Sequence, residues 1–532
     1  MPVSPTYPGV YIEEVASGVR TITGVPTSIT AFVGIAARGP SGPNSDPTFI
    51  NSFADYERTF GGIGEDNPMA YSVFQYYQNG GSQAVIVRIA GGGADPSTIT
   101  LDNGVVLQST SAGAWGNQLR ARVDYADAAA GEYNLTVRDM ATGEQERFAK
   151  VSTSLTSPRR LDRMLGSSAL VRAAAASALD HRPAAHADPT AVGADPMNPP
   201  PGGGTNTFTQ GTGGDAGSAV GDADILGSPA AKTGMYQLLK TDIFNMLVFP
   251  PLGVTELVTT QDGDPSLVSD AVLGQALTLC ASRRAMLVLD APAGWETVQD
   301  AVTGIGNFAL SGESAKNAAL YFPYLRITDP DTTKLGRKID MPPAGAVAGV
   351  YARTDTQRGV WKAPAGTDAS LAGVPELSLK LSDLENGRLN PLGVNCLRSF
   401  PIIGRVVWGA RTLRGADVLA DDWKYVPVRR LALFIEESLY RGTKWVVFEP
   451  NDEPLWAQIR LSVGAFMQNL FRQGAFQGSA AKEAYFVKCD KDTTTQNHIN
   501  LGIVNIHVGF APLKPAEFVI IRIQQMAGQV EV

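Results

Sequence analysis

The sequence predicts a multidomain chain of α/β and α+β class, and three observations lead there. Between residues 232 and 400, short apolar runs alternate with stretches of helical period, the pattern of a mainly parallel sheet covered on both faces. From Asp421 onward, two amphipathic helices precede two runs of strand-like alternation. Ahead of both, residues 177–231 are rich in Ala, Pro, Gly and Asp, a composition poor at forming a core. With 532 residues, the chain has room for roughly three domains at ~100–200 residues each.

Taken in order, the chain opens with three prolines in its first eight residues, which exclude a helix. Val10 and Ile12 then alternate with Tyr11 and Glu13, and Val15 follows. No partner strand lies at hairpin distance. The segment reads either as a mobile terminus or as an arm that adds a strand to a sheet elsewhere, including one on another subunit. Residues 29–36 predict a strand, 52–60 and 67–79 helices, and 83–89 a strand. After Gly91-Gly92-Gly93, strands are expected at 118–125, 132–139 and 146–151, joined by turns at Gly131 and Gly143. Leu161–Ala176 predicts one helix, or two short ones around Gly166. The remainder to residue 231 predicts a long exposed loop.

The alternating region predicts strands at 244–249, 285–289 and 317–327, with helices at 266–281, 295–308 and 344–353. In the C-terminal stretch, Val428, Leu431, Ile435 and Leu439 fall at helical spacing, with Glu436 and Glu437 turned away from that face, Arg441 near the carbonyl end and Gly442 as C-cap. Residues 444–448 predict a strand. A second helix has Asn451 or Asp452 as cap, Pro454 in the first turn and Gly474 as stop, and buries Leu455, Ile459, Val463, Phe466, Leu470 and Phe471. At the end, Val504, Ile506, Val508 and Phe510 alternate with Ile503, Asn505 and His507. Phe518, Ile520, Ile521 and Ile523 mark a second strand. Two strands at a terminus leave a free edge, which must be covered or paired. The expected organisation is an arm at 1–28, an α/β domain at 29–91 and 232–400, an insertion at 92–231, and a C-terminal domain at 401–532 that ends in a strand arm.

Composition narrows the function. A net charge of −8 without a dense Lys/Arg run does not suit nucleic-acid binding. No apolar stretch reaches ~18 residues, and the first residues lack the basic and apolar regions of an export signal. Three scattered cysteines (Cys280, Cys396, Cys489) fit synthesis in a reducing cytoplasm. The four histidines (His181, His186, His498, His507) fall outside the α/β region, so an Asp–His–Ser triad has no base there, and Gly312-Glu313-Ser314-Ala315 is not a nucleophile elbow. Gly227–Thr233 lacks the second glycine of a phosphate loop. No pattern of metal ligands is present. No catalytic, cofactor or metal residue is assigned.

Several stretches resemble contractile tail sheath proteins, the family of contractile phage tails, R-type tailocins and phage-like extracellular injection systems. They are YPGVYIEEV near the start, GVWKAPAG at 359–366, GVNC at 393–396, VWGART at 407–412, YVPVRRLALFIEESLYRGTKW and WVVFEPNDEPLW in the two helices, and APLKPAEFVIIRI at the end. The resemblance implies a subtilisin-like α/β middle domain with a β-rich outer insertion, and a C-terminal α+β sheath domain facing an inner tube. It implies a non-enzymatic subunit that polymerises as stacked hexameric rings around the tube, contracts to drive it through a target envelope, and meets tube, baseplate and terminator proteins. Under it, Val10–Val15 and the segments Ile503–Val508 and Phe518–Ile523 share strands between subunits. Glu436, Glu437, Arg460 and Arg472 are candidates for a tube- or neighbour-facing surface. An inactive or divergent subtilisin-like hydrolase that oligomerises, or a static surface-layer or capsid protein, remains the alternative.

Overall fold

The structure, a computed structural model, describes residues 20–42, 45–202, 206–253, 267–292 and 294–522. The predicted strand at Val10–Val15 and residue Ile523 lie outside them. Two compact units are present: one comprises 28–353 with 365–420; the other comprises the segment up to Thr27, 354–364, and the chain from Asp421 on. The division falls at Asp421, beyond the boundary expected at 401.

The larger unit is built on an eight-stranded sheet. Its strands are β1 (Thr30–Ile35), β2 (Thr48–Ile50), β3 (Ala84–Ile89), β4 (Met246–Val248), β5 (Met286–Asp290), β6 (Ala318–Phe322), β7 (Asn395–Phe400) and β8 (Gly404–Val407), in spatial order β8-β7-β6-β5-β4-β1-β3-β2. The run from β3 to β7 is parallel throughout; only the edge strands β2 and β8 are antiparallel. Helices are α1 (Phe53–Phe60), α2 (Pro68–Gln78), α3 (Asp270–Arg283), α4 (Val298–Gly306) and α5 (Ala344–Arg358). Strand residues face two ways. Ala31, Val33, Leu247, Leu287 and Leu320 share a core with Val272 and Ala276 of α3 and Ala301 of α4. On the other face, Phe32 meets Tyr76 of α2, and Tyr321 meets Tyr351 of α5. Both sheet faces are therefore dry, which is why the strands read as apolar runs rather than alternations. Helix α5 approaches α2 closely through Gly345 and Gly349, where a Cβ would stand 2.5 and 2.4 Å from the Ser72 and Tyr76 carbonyl oxygens.

The expected strand at 317–327 is two strands in different sheets. Pro323 follows β6, and Leu325–Thr328 pairs antiparallel with Lys338–Met341 and Glu376–Leu377. A proline donates no ladder bond, so the run cannot continue. The expected helix at 161–176 is one short turn of helix (Leu161–Met164), a 3-10 turn (Leu165–Ser167) and a strand (Val171–Ala173). There Ser168 Oγ accepts the N–H groups of Leu170 and Val171, a local bond that competes with helix.

Between β3 and β4, residues from Ile99 to Val171 form their own apolar cluster on strands Leu119–Asp124, Glu132–Asp139 and Gln145–Ser152. The long loop after it is more ordered than its composition suggests. Arg122 Nη1 donates to the carbonyls of Ala187 (2.6 Å) and Thr207 (2.8 Å), and Nη2 to Asp188 Oδ1 (2.6 Å). His186 Nδ1 accepts the Val123 N–H at 3.0 Å, its own N–H donates to the Val123 carbonyl, and Nε2 meets Thr209 Oγ1 at 2.9 Å.

Two resemblance motifs meet in this unit. Asn395 of GVNC is fully buried; its Nδ2 donates to Leu320 O (3.0 Å) and Arg411 O (2.7 Å), and its Oδ1 accepts Arg411 N–H (2.6 Å). Arg411 of VWGART in turn donates to Asn390 O and to Asp417. Asn395→Ala strands these buried groups and is expected to cost about 3 kcal/mol, read as a lower unfolding midpoint in denaturant.

His186 gives a pH signature. An imidazole that accepts from a backbone N–H is neutral, and burial with nearby Arg122 holds its pKa below the usual 6.5, against a weaker opposing pull from Asp102. The unfolded chain then takes up the proton first. The contribution is fully present above pH 6.5 and is lost as pH falls through the depressed folded value. Hydrogen exchange at the Val123 amide, corrected for intrinsic rates, is expected to accelerate below that window, and not in His186→Asn.

Candidate assembly interface

The smaller unit is organised by two helices, α6 (Val426–Gly442) and α7 (Glu453–Arg472), and a two-stranded antiparallel sheet of β9 (Tyr485–Lys488) and β10 (His507–Phe510). Leu431, Ile435, Leu455, Ile459, Val463, Phe466 and Leu470 form its core, joined by Val360 and, at its margin, Trp361 of the GVWKAPAG motif. Phe471 packs only partly. Gly442 is the last residue of α6 rather than its C-cap, which is Thr443, and its absent Cβ leaves room for Ile22; a Cβ there would lie 2.5 Å from it. The expected strand at 444–448 is a 3-10 turn, Lys444–Val446. It follows the helix within two residues and finds no strand to pair with among the described residues.

The first described residues lie along α6 in the opposite direction. Arg20 stacks its guanidinium over Trp445 at 4.6 Å, Ile22 sits at Gly442, Val25 N–H donates to Ser438 Oγ (3.2 Å), and the Thr27 carbonyl accepts from Arg430 (2.9 Å). Arg430 also grips Asp355 through both guanidinium nitrogens (2.8 and 2.6 Å), with the two side chains 3% and 4% exposed. One buried bidentate pair thus fixes three separate chain segments: 20–27, the end of α5, and α6. Sequence reading passed over it because Arg430 and Asp355 are far apart in the chain.

Of the surface candidates, Arg472 and Glu436 are exposed, the latter accepting from Arg429 (3.2 Å). Glu437 is not on a solvated face. It is 8% exposed and accepts from Arg441 (2.7 Å), because α6 is buried nearly all round rather than along one stripe. Arg460 is half-buried, donating to Glu453 Oε1 (2.6 Å) and to the Cys489 carbonyl.

The terminal segment departs most from expectation. Val504, Ile506, Val508 and Phe510 do face the core, as the alternation predicts, but only 507–510 forms a strand. Asn505 is committed internally, its Nδ2 donating to Thr493 O (3.0 Å) and its N–H to Thr494 Oγ1 (3.1 Å); the exposed Ile503 offers its carbonyl to Asn451. Phe518–Ile521 pairs with nothing among the described residues. Phe518, Val519, Ile520 and Ile521 are 73%, 82%, 82% and 79% exposed. Four consecutive apolar side chains in water need another surface. β9 and β10 each leave one edge unpaired within this set of residues.

The described residues contain no cluster of metal-ligating side chains and no helix long and apolar enough to cross a membrane. In doubly wound sheets, ligands lodge where the strand order reverses, here between β1 and β4. The loop after β1 that borders this point is tied to β3 instead: Arg88 donates to the carbonyls of Ala36, Gly39 and Ala112, each at 2.8 Å. That loop presents carbonyls to a cation rather than N–H groups to a phosphate.

Residues 420–526 match the phage tail sheath C-terminal domain. The chain is 29% identical over 131 residues to the tail sheath protein of Vibrio phage KVP40 (24% of this chain, 19% of that one) and 26% identical over 243 residues to a putative prophage major tail sheath protein of Pseudomonas aeruginosa (45% and 57%). The matches thus span well under two thirds of these relatives. Over nearly its whole length the chain shares the fold of the anti-feeding prophage helical sheath in its contracted state (TM-score 0.56, 24% identity, 98% and 100% coverage) and of a sheath tail protein from Listeria innocua (0.57, 13%, 93% and 96%). These relatives and neighbours are structural sheath proteins, not enzymes, and the resemblance to the contractile sheath family holds.

Asp355→Ala leaves Arg430 buried without its carboxylate and is expected to destabilise this unit by roughly 3–5 kcal/mol. Pairing it with Arg430→Met recovers much of that loss in thermal unfolding.

Proposed function

We propose that the chain is the structural subunit of a contractile sheath, assembled in the bacterial cytoplasm as stacked hexameric rings around an inner tube. In this reading the large sheet is the family's subtilisin-like middle domain, and the C-terminal unit faces the tube. Baseplate and terminator proteins meet the two ends of the polymer. The observation behind it is the exposed run Phe518–Ile521, which has strand-forming composition and no strand partner among the described residues. Added to an open edge of β9 or β10 in a neighbouring copy, it gains ladder bonds of ~0.5–1.5 kcal/mol net each and buries side chains contributing ~1.5–3 kcal/mol each. The N-terminal arm, Val10–Val15, supplies a second shared strand. Linked copies then stay attached while other contacts are exchanged during contraction. The stored energy is that of a trapped extended lattice, and no nucleotide is consumed.

Phe518→Asp with Ile520→Asp, and separately deletion of residues 1–20, are expected to abolish long hollow tubes in negative-stain electron microscopy of the purified chain. The circular dichroism of the monomer should stay unchanged. Normal tubes from both variants would overturn strand sharing.

A further inference from the structure

The β7–β8 hairpin ends in an unusual tip. Ile403 N–H donates to the Pro401 carbonyl at 2.8 Å, closing a three-residue turn around Ile402 at φ +70°. Turns of this kind are rare and strained, and a β-branched residue there is an outlier. The conformation holds Ile402 wholly in solvent with Ile403 exposed beside it. The stem carries the half-buried Arg405, with no hydrogen-bond partner at Nε; Arg398 is buried, paired with Asp383 at 2.9 Å and lies over Phe400 at 4.9 Å.

A complementary feature lies elsewhere in the same unit. At the carboxyl ends of β4 and β5 is a cavity of about 320 Å³, walled by Phe249, Leu273, Leu289 and Phe308, with the exposed carboxylates of Asp222 and Asp270 lining its mouth. It is at the small end of ligand pockets, roughly 300–1,000 Å³, with room for branched aliphatic side chains. Burial pushes the Asp290 carboxyl on its floor up to about 8, so near neutrality it adds little charge. An apolar tip with Arg405 on its stem matches an apolar cavity bordered by two exposed carboxylates in shape class and in charge.

We infer that the Ile402–Ile403 tip of one copy seats in the Phe249–Leu273–Phe308 cavity of the next copy. Tip and cavity are different surfaces of one chain, so the contact is head-to-tail. Such contacts make open helical polymers when their rotation does not close. The inference deepens the sheath reading and rests on it for the identity of the partner.

The test uses Ile402→Cys combined with Leu267→Cys at the cavity wall; the native cysteines are all buried and do not compete. Assembled tubes treated with a mild oxidant are expected to give a covalent ladder on non-reducing gels, absent from either single variant. Tubes that form but yield only monomer would overturn the inference and leave the sheath reading standing. A second measurement needs no tubes. A cyclised peptide spanning 398–407 is expected to bind the full chain saturably, weakened at least about tenfold by Ile402→Asp in the peptide. Failure of that peptide to bind overturns the inference independently of polymerisation.

Discussion

Burial of both faces of a parallel sheet is the constraint on which the larger unit depends. A parallel ladder satisfies its backbone only if crossover helices cover it, and each strand must then be apolar on both sides. That requirement dictates Phe32 against Tyr76 on one face and Ala31 and Val33 against the α3 side on the other. It also dictates glycines at 345 and 349, where helix and helix meet backbone to backbone. The switch point that enzymes of this architecture use for ligands is bordered by a loop whose carbonyls are spent on Arg88.

The parts legible in the sequence are those whose signal is local. The strands of the parallel sheet other than β7, helices α2 and α7, and the core face of 504–510 follow from period and capping. Misreadings arose where the competing term was non-local. Lys444–Val446 has strand composition but no strand beside it; 325–328 continues an apolar run but belongs to another sheet across Pro323. Glu437 reads as solvated until α6 is seen to be enclosed, when Arg441 accounts for its charge. The strongest fastening in the smaller unit, Arg430 with Asp355 and the Thr27 carbonyl, left no sequence signal, because nothing in spacing reveals a contact between segments so distant.

At the proposed interface, legibility divided the same way. Phe518–Ile521 was recognisable as strand-forming, but its lack of a strand partner among the described residues belongs to the fold. Residues 20–27 are anchored along α6, so a strand shared as proposed through the residues before them would be coupled to the unit that bears the phage sheath domain match. A shared strand pulled from that segment would load the Arg430–Asp355 pair directly. Buried bidentate pairs resist such loading better than surface pairs, since breaking one exposes an uncompensated charge.

The three thiols have a consequence for life outside the cell. Cys280, Cys396 and Cys489 are all buried, and burial raises the pKa of each, Cys396 to about 12 and Cys489 to about 11. Only the thiolate attacks or is readily oxidised, and its fraction at neutral pH is then negligible. A particle built from this chain and released into an oxidising medium would not weld neighbouring copies together by disulfides. In the assembly proposed above, contacts between copies would stay exchangeable rather than covalent.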